Sequence, residues 1–164
     1  MRDALTPPLP ERFSLAVTAT RVRKAEAGDF DAVSALLAEL GRPALTPSTV
    51  DEARQVYLRH VGRADASSLV AEADDGTLVG FISLEFRDRL NRVSPQAWVP
   101  DLIVTSGARG TGAGRALLER AFDVAREHGC YELTLESGWA RDVAHRFYEI
   151  AGMSKDGYYF TFPL

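Results

Sequence analysis

The sequence predicts a mixed α/β domain. Apolar residues alternate with polar ones in some segments and recur every three or four positions in others, which indicates strands and helices respectively. Glycine, proline and aspartate separate these segments and predict turns. With 164 residues, 46% of them hydrophobic, the chain is long enough to bury the core of one globular domain.

Residues 1–20 are predicted to form an N-terminal extension, and residues 21–164 the folded domain. Prolines close to the start exclude regular structure there. The apolar run FSLAVTAT at 13–20 lacks the basic region that precedes the core of a secretory signal. The single cysteine, Cys130, has no partner for an internal disulfide, so the sequence predicts a reducing, cytoplasmic location.

Strands are predicted where apolar and polar residues alternate. Two apolar runs within 67–86 are joined at Asp75-Gly76, a dipeptide typical of a tight turn, and predict a hairpin. Pro100 removes one ladder donor from the next strand and predicts a bulge or a local edge. The predicted strands cover 21–25, the two halves of 67–86, 97–105, 131–136 and 157–164.

Helices are predicted where apolar residues recur at helical spacing. Asp29 and Asp142 precede the first and the last helix and are the predicted N-caps. Gly41 and Gly129 follow the first and the third helix and are the predicted C-caps. The helices are expected over 30–41, over 47–62, between the glycine-rich stretch and Gly129, and over 143–152.

The composition disfavours several classes of function. The formal net charge of −4 argues against nucleic-acid binding, which a basic face would indicate. The sequence has no CxxC pair or histidine cluster that would offer ligands to a metal. No stretch approaches the ~20 apolar residues of a membrane span. We therefore expect no metal, nucleic acid or membrane as a partner.

The stretch ARGTGAGR at 108–115 carries the most specific chemical signal. A GxGxxG dinucleotide fingerprint fails there, because its third glycine position falls on Arg115 or Leu117. A Walker A loop fails because Ala113 stands where its lysine is required. A strand, a glycine-rich loop and a helix N-terminus remain. Unpaired amides and the helix dipole make that terminus an anion site, which a diphosphate can approach where side chains are absent.

The segment VTSGARGTGAGRALL at 104–118 resembles the acetyl-coenzyme A loop of the GNAT (Gcn5-related N-acetyltransferase) superfamily. The pattern of that loop is (Q/R)xxGx(G/A), and Arg109, Gly112 and Gly114 fill it. A second segment, AHRFYEIAGM at 144–153, is similar to the family's segment near the C-terminus, with methionine in place of the usual last phenylalanine.

This resemblance extends over about residues 21–164 and implies a GNAT-like α/β fold. Such a fold has a central mixed, mostly antiparallel sheet of about six to seven strands, flanked by about four helices. Dimerisation is common among similar proteins. No sequence feature predicts a homodimer here, so the oligomeric state is left undecided.

The resemblance assigns coenzyme-binding roles to two consecutive segments. Backbone amides of the loop would hold the pyrophosphate of acetyl-CoA, and Arg115 would add charge. The preceding strand would pair its main chain with the pantetheine arm, and the amide of Ile103 or Val104 would polarise the thioester carbonyl. The implied residues are Leu102, Ile103, Val104, Arg109, Gly110, Thr111, Gly112, Ala113, Gly114 and Arg115.

The resemblance also implies a proton donor. Tyr148 matches the family tyrosine that faces the coenzyme sulfur and returns a proton to the leaving thiolate, although an ordinary core aromatic is the alternative. Arg141 stands where many members have a cofactor-contacting asparagine. The general base stays open, and the candidates are Glu85, Asp101 and Ser137.

The function that the resemblance implies is acetyl transfer from acetyl-CoA to a primary amine by direct attack in a ternary complex. A small-molecule acceptor is favoured, with protein N-termini or lysines as the alternative. A non-catalytic acyl-CoA-binding regulatory module is a third reading, against which Tyr148 argues. The basic loop at 87–94 would favour an anionic acceptor, whereas nearby carboxylates such as Glu85 would favour a cation, so charge leaves the acceptor open.

Overall fold

The structure is a computed structural model that describes residues 20–163, so the predicted extension lies outside the described residues apart from Thr20. The described chain forms two compact units, 20–136 and 137–163. The larger unit contains the sheet and three helices, and the smaller one contains the last helix and the segment after it. That 21–164 is a single domain stays a prediction. None of the described helices is long and apolar enough to cross a membrane.

The sheet of the larger unit is mixed and mostly antiparallel, as expected. Its strands follow the order β1-β2-β3-β4-β6, and β5 pairs with β3 beside β4. Four of the strand pairs are antiparallel, and β4 with β6 is parallel. The strands are β1 Arg21–Lys24, β2 Ala66–Glu72, β3 Leu78–Arg87, β4 Gln96–Val99, β5 Leu102–Val104 and β6 Leu133–Leu135.

The described residues form four α-helices, three in the larger unit and one in the smaller, which confirms the predicted number. Gly41 is the C-cap of α1, as predicted, with φ 98°. The C-cap of α3 is His128, one residue before the predicted Gly129, which follows it in the left-handed conformation at φ 71°. The helices are α1 Phe30–Leu40, α2 Val50–Val61, α3 Ala113–Glu127 and α4 Asp142–Ile150.

Of the two predicted N-caps, Asp29 has the predicted position and Asp142 does not. Asp29 occupies the cap position of α1, but its carboxylate accepts hydrogen bonds from Arg23 and from the Glu26 amide instead of from the helix. Asp142 is the first residue of α4, and Arg141 stands at the cap position. A guanidinium partner on β1 competes with the helix amides for Asp29, which the local sequence does not reveal.

The two faces of β3 pack against different helices because successive side chains point to opposite sides of a strand. Phe81 lies in a buried cluster with Phe30 of α1 and Tyr57 of α2. Gly80 faces the other side, where a Cβ atom would lie 2.8 Å from Leu117 Cδ1 of α3. Glycine at this position therefore allows α3 to approach the sheet closely.

The predicted strand 97–105 is interrupted by a bulge at Pro100, as the missing donor indicated. Between the pairs Glu85–Trp98 and Ile82–Leu102, β3 advances by three residues (82 to 85) while its partner advances by four (98 to 102). One extra residue thus separates β4 from β5. The bulge leaves β4 paired with β6, while β5 continues along β3 by itself.

The predicted last strand is wrong for the described residues 157–163, which form no strand. The aromatic side chains of this segment are 67–87% exposed. Alternating apolar residues favour an extended strand with one buried face. A strand forms only where a neighbouring strand supplies hydrogen bonds to its backbone.

Candidate active site

The outer edge of β5 presents main-chain groups that no described strand uses. Ser83 N donates to Asp101 O at 3.0 Å, and Thr105 N donates to Val79 O at 2.9 Å. In an antiparallel ladder the backbone groups of alternate residues face the same side. The amide and carbonyl of Ile103 therefore face β3, whereas those of Leu102 and Val104 face outward.

This register corrects one of the two predicted thioester donors. The amide of Ile103 faces β3 and its side chain is buried, so it is not directed to the outer edge. The amide of Val104 has the required direction, and so does that of Leu102, which the sequence prediction did not single out as a donor. The bulge at Pro100 sets which residues face outward, and its exact place was not readable from the sequence.

The glycine loop continues from this edge into the head of α3. Gly110 (φ 81°) and Gly112 (φ 95°) are left-handed, a conformation that other residues rarely adopt. The first helical hydrogen bond runs from Ala116 N to Gly112 O at 2.9 Å. The amides of residues 113–115 therefore precede the helical ladder, and among the described residues no backbone carbonyl accepts from them.

The two arginines of the loop differ in how they are engaged. Arg109 is exposed, its Nε donates to Val104 O over a long 3.4 Å, and its Nη2 lies 4.0 Å from Glu39 Oε1. Arg115 Nε donates to Glu119 Oε1 at 2.7 Å, one turn along α3. Arg109 is thus held weakly beside the outer edge of β5, whereas Arg115 is already paired with a carboxylate.

Glu39 on α1 anchors the turn that leads into the loop, a contact that the sequence prediction missed. Its Oε1 accepts the amide of Ser106 at 2.6 Å, and its Oε2 accepts the hydroxyl of Thr105 at 2.8 Å. These hydrogen bonds, that of Thr105 foremost, lower the pKa of the Glu39 carboxyl. The charged form of Glu39 therefore holds the junction between β5 and the loop.

Asp101, a candidate base, is already engaged by neighbouring residues. Its Oδ1 accepts from Arg42 Nε at 2.8 Å, and Arg42 Nη2 donates to Pro100 O at 3.0 Å. Arg42 is held there because its own amide closes the end of α1 by donating to Leu37 O. The pair of Arg42 and Asp101 braces the bulge between β4 and β5, a structural role for this carboxylate.

Glu85, the second candidate base, lies on the face of β3 that packs against α1 and α2. It contributes to the lining of a cavity of about 560 Å³ together with the second half of α2, including His60. Its described hydrogen bond is with Arg87, at 3.3 Å. Burial lowers the pKa of His60, so this imidazole is neutral near pH 7 and adds no positive charge to the cavity.

The remaining predicted residues, Ser137, Arg141 and Tyr148, lie in the smaller unit. Tyr148 is half-buried on α4, with its ring centroid 5.4 Å from that of Phe147. Burial raises the pKa of the Tyr148 phenol, and Arg141 partly offsets this effect. Gly152 (φ 87°) ends the helix, and Met153 N donates to Tyr148 O at 3.0 Å, which gives the FYEIAGM segment its form.

Comparisons with known proteins agree with the fold. A putative acetyltransferase from Agrobacterium tumefaciens str. C58 superposes with a TM-score of 0.77 at 25% identity, over 88% of this chain and 99% of that one. The uncharacterized N-acetyltransferase YhdJ of Bacillus subtilis is 40% identical over 68 residues, 41% of this chain and 48% of YhdJ. The chain thus spans about half the length of that relative.

Glucosamine 6-phosphate N-acetyltransferase 1 of Oryza sativa subsp. japonica is 27% identical over 122 residues, 71% of this chain and 72% of that protein. The sequence model of the acetyltransferase (GNAT) family matches residues 32–153, a range that contains the glycine loop and the whole segment 144–153 around Tyr148. The chain therefore belongs to the GNAT family of acetyltransferases.

Proposed function

We propose that the protein transfers the acetyl group of acetyl-CoA to a small primary amine. The observation that carries this proposal is the continuity of two features: the outward main-chain groups of β5 run directly into the uncovered amides at the head of α3. The first suits an extended amide-containing arm and the second a diphosphate, and these are the two parts of coenzyme A that lead to its thioester.

Each part of this surface has a distinct task. The amides of residues 113–115 would hold the pyrophosphate, aided by the dipole of α3. Arg109 would leave its long contacts with Val104 and Glu39, since a guanidinium binds phosphate oxygens more strongly. The outward amides of Leu102 and Val104 would orient the arm, and one of them would donate to the thioester carbonyl.

Bound acetyl-CoA supplies an activated acyl group, and the protein supplies position and proton transfer. The amine nitrogen forms a bond to the carbonyl carbon, and the bond from that carbon to sulfur breaks. The proton lost by the amine passes to a base; the position of Glu85 in the lining of the cavity supports it for this role over Asp101, which is paired with Arg42. Tyr148 would give its proton to the leaving thiolate and regain one from solvent, so the products are an amide and free coenzyme A.

The pKa of Tyr148 supports its assigned role as an acid. Because burial raises this pKa, the phenol keeps its proton at neutral pH and is able to donate it. The same burial makes the phenol a weaker acid, and the positive charge of Arg141, which acts in the opposite direction, would favour the phenolate that forms when the proton is given up. Ser137 stays a candidate for the base, and Arg141 stays a candidate for a contact with the coenzyme.

Two alternative functions are a protein acetyltransferase, which differs from the proposal in its acceptor, and a non-catalytic module, which differs in having no turnover. The cavity beside Glu85, at about 560 Å³, has the size of a small-molecule site and favours a small amine over a protein N-terminus or lysine. A non-catalytic acyl-CoA-binding module would share the loop but would release no thiol.

Thiol release with acetyl-CoA and a panel of amines and peptides tests this proposal, and Tyr148→Phe is the diagnostic variant. We expect turnover with small amines, and a loss of about 100-fold in kcat in Tyr148→Phe with little change in acetyl-CoA affinity. Turnover with peptides alone would contradict the small acceptor. Tight acetyl-CoA binding with no thiol released from any amine would favour the module.

A further inference from the structure

The cavity beside Glu85 lies close to the proposed reacting edge. Glu85 is two residues along β3 from Ser83, whose amide donates to Asp101 O at the start of β5. Two residues of a strand span about 7 Å. A small molecule in the cavity would therefore be able to reach from Glu85 to a thioester held on the outer edge of β5.

One side of the cavity suits an amine. Glu85 is 27% exposed and has Arg87 as its described charged partner, at 3.3 Å. Arg87 is itself stacked over Trp98, with its guanidinium carbon 3.3 Å from the ring centroid. Arg87 is thus fixed by an aromatic ring, and the Glu85 carboxylate keeps capacity to accept hydrogen bonds from an ammonium group.

The lining of the cavity also includes guanidinium groups. Arg59 stands on the last turn of α2, is exposed, and forms no ion pair with any residue that the structure describes. Arg63 also lines the cavity, but Asp65 neutralises it through two hydrogen bonds of 2.8 and 2.9 Å. Arg59 is therefore the cation of this cavity that can take an anionic group.

We infer that this cavity is the acceptor site and that the acceptor is a small primary amine that also bears a phosphate, phosphonate or carboxylate group. The inference rests on the proposed function and adds the class of substrate. Glu85 would hold the amine end and Arg59 the anionic end, and Val56 adds an apolar side chain to the lining. One relative, the rice enzyme, is named for an acceptor that carries both an amine and a phosphate.

The test uses amines that differ in the anionic group alone: ethanolamine with phosphoethanolamine, and propylamine with β-alanine, plus the dication putrescine. Thiol release is measured for the wild type, for Arg59→Gln and for the control Arg126→Gln, which removes an exposed arginine of α3. We expect the wild type to favour an anionic amine. Arg59→Gln should lower kcat/KM for it by about tenfold or more, while the uncharged counterpart and the control change by less than about twofold.

The possible failures are distinguishable. Equal losses for both members of a pair, or a wild type that favours putrescine or the uncharged amines, would overturn the inference and leave acetyl transfer standing. No thiol release from any amine, despite acetyl-CoA binding, would overturn the proposed function itself. Melting temperatures of the variants within a degree or two of the wild type would show that a loss in Arg59→Gln is not due to unfolding.

Discussion

The carboxylate of Glu39 accepts the main-chain amide of Ser106 at 2.6 Å and thereby ties α1 to the turn before the glycine loop. Thr105, the residue before, adds its hydroxyl to the same carboxylate at 2.8 Å. We expect Glu39→Ala to weaken acetyl-CoA binding by about tenfold, because the loop amides would have to be ordered when the coenzyme binds.

Calorimetric titration with acetyl-CoA measures this effect, and Glu127→Ala, which removes an exposed carboxylate near the far end of α3, is its control. Glu39→Gln should lose less than Glu39→Ala, since an amide oxygen can still accept from Ser106. Unchanged coenzyme affinity in Glu39→Ala would show that the turn holds its form without α1.

Gly114 separates a structural from a binding role for the loop glycines. Gly110 and Gly112 are left-handed, so a side chain at either would strain the backbone whatever it binds. Gly114 lies inside α3, where alanine is the better helix former by roughly 1 kcal/mol. If the residue is glycine to let a diphosphate approach, Gly114→Ala should weaken acetyl-CoA binding at least about tenfold without lowering stability.

The matched control for this variant is Gly28→Ala, since a Cβ at Gly28 would meet nothing within 4 Å. Affinity by titration and melting temperature are measured for both. Wild-type affinity in Gly114→Ala would contradict close contact between the ligand and this turn of the helix.

The two carboxylates near the bulge should behave differently on substitution. Glu85→Gln is expected to lower kcat for a small amine by about 100-fold, as removal of a general base does. Asp101→Asn should mainly lower the melting temperature, by roughly 2–4 °C for each 1 kcal/mol lost, because it breaks the pair with Arg42. Steady-state kinetics and thermal melts of both variants check this, and the reverse assignment would make Asp101 the base.

His60 should make stability depend on pH. Burial lowers its folded-state pKa, while Glu85 acts in the opposite direction and Arg63 in the same one. The unfolded chain, with a histidine pKa of about 6.5, therefore binds the proton more readily, so this contribution is complete above about pH 6.5 and is lost as the pH falls below it.

Melting temperatures at about pH 7.5 and about pH 5.5 check this, because these values bracket the unfolded histidine pKa. His60→Phe and His60→Gln cannot titrate, so their melting temperatures should fall less between the two values than that of the wild type. An equal fall in all three proteins would mean that His60 is not the group responsible.

Much of the fold follows from local sequence. Asp75-Gly76 places the hairpin turn, with Gly76 left-handed at φ 85°, and glycines mark the ends of α1 and, within one residue, of α3. The start of α3 after Gly112 was predictable because a glycine-rich stretch is followed there by apolar residues at helical spacing. The expected ligand, a diphosphate, was predictable because the stretch fails to match the nucleotide-binding motifs. These turns and helix ends depend on residues that are neighbours along the chain, so they can be predicted from the local sequence.

The parts that sequence reasoning missed depend on contacts distant along the chain. Glu39 and Ser106 are 67 residues apart, and Arg42 and Asp101 are 59 apart, so no local pattern links them. The position of the bulge determines that the backbone amide of Val104 faces outward and that of Ile103 faces β3. The predicted strand at 157–164 failed because alternation does not specify a partner.

The most direct test of the coenzyme site is an amide chemical-shift titration of the isotope-labelled protein with coenzyme A and, separately, with pantetheine, which lacks the diphosphate. The account predicts that the amides of residues 113–115 shift strongly with coenzyme A and little with pantetheine, while those of Leu102 and Val104 respond to both. Large shifts elsewhere, with the amides of 113–115 unmoved by coenzyme A, would contradict it.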